Sequence, residues 1–304
     1  MLEVETPVLC HAGAVETHVD PMPVEPSGSG WPSTLFLVTS PEHSMKRLLA
    51  AGSGPIYQIT RSFRAGEFGR LHNPEFTILE WYRPSWDRSA LMDEVEDLVR
   101  SVLTAEGIAA HPEISREASQ PFERVAYRDA FLRAAGIDPF RAPEGEIRAA
   151  ASARAGRPER DLAGAGREAL LDLLFPIAVE PGLGRGRPAF VVDYPASQSV
   201  LARIRPGDPP VAERFELYVR GVELANGYEE LGDPEEQERR FREANARREA
   251  LGKPRLPLDG RFLEALRSGI PPSSGVALGV DRLLLVAAGA SRLEEVLAFP
   301  LDRA

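Results

Sequence analysis

Arg61, Arg64, Glu67, Arg70, His72 and Asn73 crowd one short stretch that is broken by Gly66 and Gly69. A guanidinium presents a planar fork of donors that matches phosphate oxygens. A loop so rich in arginine is an anion-binding device. Phe76-Thr77-Ile78-Leu79 follows as an apolar, alternating run, and Glu80 and Tyr82 close it. A carboxylate and a phenol there suit a cationic ligand. One end of this segment wants phosphate and the other wants an amine.

Three further islands could add to that chemistry. Glu223, Asn226 and Glu230 combine two carboxylates and an amide. With Glu223–Ala225 extended and a turn at Asn226-Gly227, their oxygens would converge, and carboxylate oxygens completed by water and phosphate are what Mg2+ takes at nucleotide sites. Alone, the segment reads as a solvated acidic turn. Arg282 opens an apolar helix just after the small residues of Gly275–Gly279, where close backbone approach is possible. An arginine at a strand-to-helix junction can hold phosphate; a surface pair with Asp281 is the plain alternative. Glu42 stands at another such junction, after Ser40 as N-cap and Pro41 at the first helical position. On its own it reads as a complement to the helix dipole. There is no Walker loop and no dinucleotide fingerprint, so phosphates must be held by side chains. Gly182-Leu183-Gly184-Arg185-Gly186 precedes a strand and reads as a turn. Together the islands describe a site for ATP with Mg2+ on a largely antiparallel sheet.

The elements that must position these groups follow from period and punctuation. Strands are expected at Leu2–Leu9, running into Pro7, and at Leu35–Val38. A hairpin is expected from Ile56–Ile59 and Phe76–Leu79, and further strands at Ala189–Asp193 and Phe215–Val219. Val24–Ser33 reads as a loop. Helices are expected at Glu42–Ala51, Ser89–Leu103, Tyr127–Ala135, Glu144–Ala153 and Pro234–Leu251, the last highly charged and on the surface. The chain has 304 residues, 43% hydrophobic and 27% charged, enough for a substantial core. Net charge is −10, which disfavours wholesale coating of nucleic acid. Cys10 is the single cysteine, so internal disulfides are excluded and a reducing cytoplasm is the expected compartment. No apolar run is long enough to span a membrane, and no basic leader opens the chain. Lys46 and Lys253 are the only lysines beside many arginines, which genome bias or avoidance of self-modification would explain.

The chain resembles the class II aminoacyl-tRNA synthetases, and within them the lysyl branch and its short paralogues that act on a protein. Pro7 after a strand matches the end of the first class motif. Phe63-Arg64 through His72-Asn73-Pro74-Glu75-Phe76 matches the second, and Gly279-Val280-Asp281-Arg282 the third. His72–Thr77 with Glu80 and Tyr82 is narrower than the class and points to lysine. Thr39–Leu49, Pro195–Gln198, Glu223–Gly227 and Ser274–Gly279 match the short paralogues. The likeness runs from Leu2 to Ala304. It implies an α+β fold, the class II synthetase catalytic fold, with an antiparallel β-sheet flanked by helices. It also implies one catalytic domain over 1–304, with a small, mostly helical insertion at about 104–185.

The resemblance also assigns roles. Arg64 would contact the α-phosphate and stabilise transition-state charge, and Arg282 would reach the γ-phosphate. Phe76 would stack on adenine, with Asn73, His72, Leu224 and Gly279 also at ATP. Glu223 would hold Mg2+ and nucleotide, with Glu230 as a second metal ligand. Ser40 and Glu42 would take the backbone end of the amino acid. Glu80, Tyr82, Asn226, Glu230 and Ala277 would line the lysine pocket, with Ala277 standing where lysyl synthetases usually have glycine. One position departs from the pattern: Gly66 stands where the second motif carries an acid, and Glu67 after it is the expected substitute. The implied activity is ATP-dependent formation of a lysyl or β-lysyl adenylate, then transfer to a lysine of elongation factor P. The start at Leu2 leaves no room for an anticodon-binding barrel, which argues against the alternative, a lysyl-tRNA synthetase. No tRNA partner and no membrane are therefore expected. A homodimer is expected, although the helix that usually precedes the first motif strand is missing. A non-catalytic synthetase-like regulator would tend to lose its phosphate-binding arginines, whereas Arg64 and Arg282 are present.

Overall fold

The computed structural model describes residues 1–25, 34–105 and 111–304; most of the loop expected at Val24–Ser33 lies outside them. The chain forms two compact units. One comprises Met1–Asp93, Glu229–Leu285 and Ala290–Ala304, the other Glu94–Tyr228 and Val286–Gly289.

The first unit is built on the expected hairpin. β5 (Ile56–Phe63) and β6 (Glu75–Pro84) are antiparallel, with Gln58 opposite Glu80 and Ile56 opposite Tyr82. β1 (Leu2–Glu3) runs parallel to β5, and β12 (Ser273–Gly279) pairs antiparallel with the other edge of β6. Alternation along β6 turns Ile78, Glu80 and Tyr82 to a buried face. The expected first strand is broken in two. Val4 N still donates to Tyr57 O, but Pro7 has no N–H to give, and the chain leaves the ladder. It resumes as β2 (Leu9–Cys10), which joins β4 (Leu35–Leu37) and β3 (Pro23–Val24) in a small separate sheet.

α1 (Glu42–Ala50) lays Met45 and Leu49 against Ile56 and Tyr82. α2 (Arg88–Thr104) follows the hairpin, as its spacing of Leu91, Val95 and Val99 requires, and these three are buried. α7 (Pro234–Ala250) departs from expectation, because its charged sequence conceals a buried face of Gln237, Arg240, Phe241, Ala244, Asn245 and Arg248. Arg248 is fully enclosed. It donates to the carbonyls of Glu16, Val19 and Pro254 and pairs with Asp20 at 2.8 Å. α8 (Gly260–Ser268) is capped by Asp259, whose carboxylate accepts from Phe262 N. α9 (Val280–Ala287) starts directly where β12 stops.

The second unit holds α3 (Pro112–Ala118), then β7 (Glu123–Ala126) parallel to β8 (Ala189–Pro195). β10 (Val211–Val219) lies antiparallel between β8 and β11 (Val222–Glu229), with β9 (Ile204–Arg205) alongside it. α4 (Tyr127–Ala135), α5 (Glu144–Ala155) and α6 (Arg167–Leu174) pack around a core in which Tyr127 stacks on Phe175 at 5.1 Å. The glycine-rich turn before β8 is structural. A Cβ on Gly184 would lie 2.3 Å from Tyr218 O, and Gly184 has φ +66°.

Candidate active site

Ser40, Glu42, Glu80, Tyr82 and Glu230, five of the expected substrate residues, form one cluster in the first unit, with Glu80, Tyr82 and Glu230 buried and Ser40 and Glu42 half-buried. Ser40 reaches it because its Oγ accepts from Glu42 N at 3.1 Å, fixing the turn into α1, and donates to Glu80 Oε2 at 2.7 Å. Ser40 therefore sits one residue before the N-cap, Pro41, rather than at it. Tyr82 OH donates to the other oxygen, Glu80 Oε1, at 2.6 Å. The cross-strand partners of these two are Ala277 opposite Glu80 and Gly275 opposite Tyr82, on the same face.

Lys46 completes the cluster and has no counterpart among the expected site residues. It lies one turn after Glu42 on α1, so both side chains share a face. Its Nζ is 2.5 Å from Glu42 Oε1 and 2.5 Å from Glu230 Oε2, and its side chain is 1% exposed. Burial alone would lower its pKa, but the charges of Glu230 and Glu42 overcome this and hold the ammonium protonated. Burial, with Glu42 nearby, pushes Glu80 up to about 7. Burial also raises Glu230, with Lys46 pulling the other way. Tyr82 is raised well above an ordinary phenol by burial and by Glu80, Glu42 and Glu230. Two carboxylates, Glu42 and Glu230, thus hold one buried ammonium, and a third, Glu80, is bonded beside them to Ser40 and Tyr82.

Gly275 is the second residue that sequence reasoning did not single out for a role. A Cβ there would lie 2.4 Å from Glu230 Oε1 and 2.4 Å from the Tyr82 ring. A glycine in a strand interior is a signal of close approach, and here the approach is that of the pocket's own walls.

The anion-binding end lies further along β6. Phe76, Ile78, Glu80 and Tyr82 share a strand face, and four residues of strand place Phe76 about 13 Å from Glu80. The Arg64 guanidinium lies over the Phe76 ring at 5.0 Å, and its Nε is buried without a hydrogen-bond partner. Gly66 adopts φ +78°, which swings Glu67 back until its carboxylate is 3.8 Å from Arg64 Nη1 and 4.0 Å from His72 Nε2. Arg282 donates from Nε to Leu71 O at 3.2 Å and lies 2.8 Å from His72 Nε2 through Nη2. Burial and the two arginines lower the His72 pKa, so the ring is neutral and its Nε2 accepts from Arg282. Asp281 accepts from Thr77 N, tying the start of α9 to β6. Asn73 is engaged locally, donating to Glu75 O and accepting from Leu301 N. Gly279 has room above it, since an added Cβ would meet only Arg282 atoms, the nearest at 3.8 Å.

Glu223, Leu224 and Asn226 lie on β11 in the second unit. The expected turn at Asn226-Gly227 is absent, and β11 runs straight through it as a strand. The register with β10 slips instead, Ala225 facing Leu217 and Glu223 facing Tyr218, so Leu224 is the extra residue of a bulge. The bulge shifts the alternation by one and returns Glu223 to the face of Asn226 and Tyr228, while Leu224 is buried. Asn226 accepts from Arg214 Nε at 3.2 Å and donates to Tyr228 OH at 2.9 Å. Among the described residues no group of three His, Cys, Asp or Glu side chains could hold a metal by itself. Glu230, expected as a metal ligand, has given its carboxylate to Lys46. Glu223 carries hard oxygen atoms on a half-buried strand face, and a nucleotide's phosphates would have to supply the other ligands.

A family model of the class II tRNA synthetases for D, K and N matches residues 1–303. The chain belongs to this family. Among class II relatives, proteins named elongation factor P--(R)-beta-lysine ligase from Yersinia enterocolitica and Edwardsiella ictaluri are each 48% identical to it. The protein of that name from Salmonella arizonae is 47% identical. Each alignment covers 100% of this chain and 90% of the relative. A class II synthetase uses ATP, and the chain is an ATP-dependent ligase by that membership. No described helix is long and apolar enough to cross a membrane.

Proposed function

We propose that the protein activates lysine or (R)-β-lysine with ATP and transfers it to a lysine side chain of elongation factor P. The observation that carries the lysine half is the cluster of the buried Glu80 and Glu230 with the half-buried Glu42, a set of carboxylates that packing alone does not call for. The transfer half rests on the names of relatives aligned over nearly their whole length.

The chemistry asks little acid–base work in its first step. The substrate carboxylate is already ionised at neutral pH and attacks the α-phosphorus directly. The protein must hold it in line and neutralise charge as pyrophosphate leaves. Arg64 serves the α-phosphate, with its unpartnered Nε as an open donor, and Phe76 beneath it offers a face for adenine. Arg282 serves the γ-phosphate, with His72 and Glu67 orienting the loop around it. Ser40, Glu42, Glu80, Tyr82, Glu230 and Ala277 bind the amino acid, with Asn226 extending that set. Asn73, Leu224 and Gly279 complete the nucleotide site. Bound Mg2+ would neutralise phosphate charge, and Glu223 is the residue that would hold it. In the second step an acceptor ε-amine attacks the mixed anhydride, an amide forms and AMP leaves. The two units act as one catalytic domain, with the helical part as an insertion. The working form is a homodimer in the cytoplasm, to which the exposed apolar Leu2, Val8 and Leu9 would contribute.

The test supplies radiolabelled amino acid, ATP and both acceptors. Label on elongation factor P and none on tRNA is expected. Label on tRNA alone would overturn the transfer reading in favour of a lysyl-tRNA synthetase. Lysine-dependent exchange of pyrophosphate into ATP should vanish in Arg64→Ala. Absence of exchange in the unaltered protein would favour the non-catalytic regulator.

A further inference from the structure

We infer that Lys46 is a specificity-determining residue, a built-in ammonium that sets the charge of the amino-acid pocket and denies the substrate one wrong place to bind. This rests on the activation of lysine proposed above. Lys46 is the most deeply enclosed cation of the cluster, and nothing in the adenylation chemistry calls for it. Its Nζ lies 2.5 Å from each of two carboxylates on different elements, Glu42 on α1 and Glu230 just beyond β11. That is the coordination a lysine substrate's own ammonium would seek. Without Lys46, the space between Glu42 and Glu230 would be an unfilled ammonium site inside the lysine pocket.

The charge count leads to the same place. With all three carboxylates ionised, as a bound diammonium substrate would have them, Glu42, Glu80 and Glu230 with Lys46 leave two formal negative charges. Lysine and β-lysine each bring two ammonium groups. The pocket with Lys46 is therefore matched to a diammonium substrate, and without Lys46 it carries one negative charge too many. A substrate ammonium would then fall between Glu42 and Glu230, and its carboxylate would leave the line of attack. The loss is one of productive orientation rather than of affinity.

The experiment uses three variants of the full chain in pyrophosphate exchange with lysine. Lys46→Met keeps length and packing but removes charge. It should lower kcat tenfold or more with KM no higher than in the unaltered protein. Lys46→Arg keeps the charge and should retain more activity than Lys46→Met. Lys46→Ala should be inactive alone and recover on addition of n-propylammonium, but not on addition of n-propanol, which fills space without charge. Equal rescue by both additives, or a Lys46→Met enzyme as active as the unaltered one, would overturn the inference and leave Lys46 as packing. Calorimetry reads the same point without activity. Lys46→Ala should bind one more equivalent of n-propylammonium than the unaltered protein, and equal stoichiometry would also overturn the inference. If the unaltered protein shows no lysine-dependent exchange, the proposed activity fails, while the calorimetric comparison still decides the charge role of Lys46.

Discussion

Gly275 fixes the width of the amino-acid pocket by having no side chain. A methyl group there would collide with both Glu230 and Tyr82 at 2.4 Å. Both neighbours are buried and held by hydrogen bonds or ion pairs, so neither can yield cheaply. Overpacking of this kind costs about 1–3 kcal/mol. Gly275→Ala should raise the lysine KM about tenfold or more and lower the melting temperature, as exchange kinetics and a thermal melt would report. Glu80 gives the second prediction at this scale. Burial and Glu42 raise its pKa from 4.5 to about 7. The folded protein thus holds a proton that the unfolded chain would release between those values. The empty protein should lose stability as pH rises across that window. Lysine binding needs the carboxylate, so kcat/KM should rise with pH through about 7 and then level. Melting at pH 5.5 and 7.5 with and without lysine checks both signs, and Glu80→Gln should flatten the stability profile.

How much of the pocket could be read from sequence depends on what each residue needed. Glu80 and Tyr82 stood out because a short alternating run bears no carboxylate without a reason. Lys46 did not, because a lysine in an amphipathic helix ordinarily points to water, and only tertiary partners from distant segments could bury it. Gly275 sat in a run of small residues whose meaning depends on which strand lies opposite.

At the scale of elements, helix periods and the hairpin were legible, while two segments were misread for a common reason. Asn-Gly is a strong turn signal, yet Asn226-Gly227 lies inside β11, whose pairing with β10 prevails and expresses the irregularity as a bulge at Leu224. α7 looked like a solvated helix because its buried face includes arginines. Arg248 instead ties down the segment around Glu16–Asp20 by donating to the carbonyls of Glu16 and Val19 and pairing with Asp20. Removing a donor from fully buried acceptors costs about 1–3 kcal/mol per group, and less for half-buried ones such as these. Arg248→Met should therefore lower the urea midpoint of unfolding and raise amide exchange in the residues from Glu16 to Asp20. Asp20 keeps Lys253 as a partner at 2.8 Å, so Asp20 itself should stay paired in that variant.

For the whole molecule, the shortage of lysine acquires a chemical consequence once the proposed adenylate is considered. An aminoacyl adenylate acylates free amines, and an amine must shed its proton before it can attack. The chain's two lysines are both in ion pairs: Lys46 is enclosed between Glu42 and Glu230, and Lys253 is bonded to Asp20 and to Thr17 O. Arginine, which fills the other cationic positions, stays protonated and does not react. An enzyme releasing adenylate near its own surface should therefore leave its side chains unmodified. After prolonged turnover with ATP and lysine in the absence of acceptor, peptide mapping should find neither lysine acylated. Lysines placed at the exposed Arg61 and Arg255, whose ion pairs lie in water and constrain them weakly, should acquire lysyl groups under the same conditions. Modification of Lys253 at the rate of those introduced lysines would show that pairing with Asp20 gives no protection, and would return the arginine bias to the genome alone.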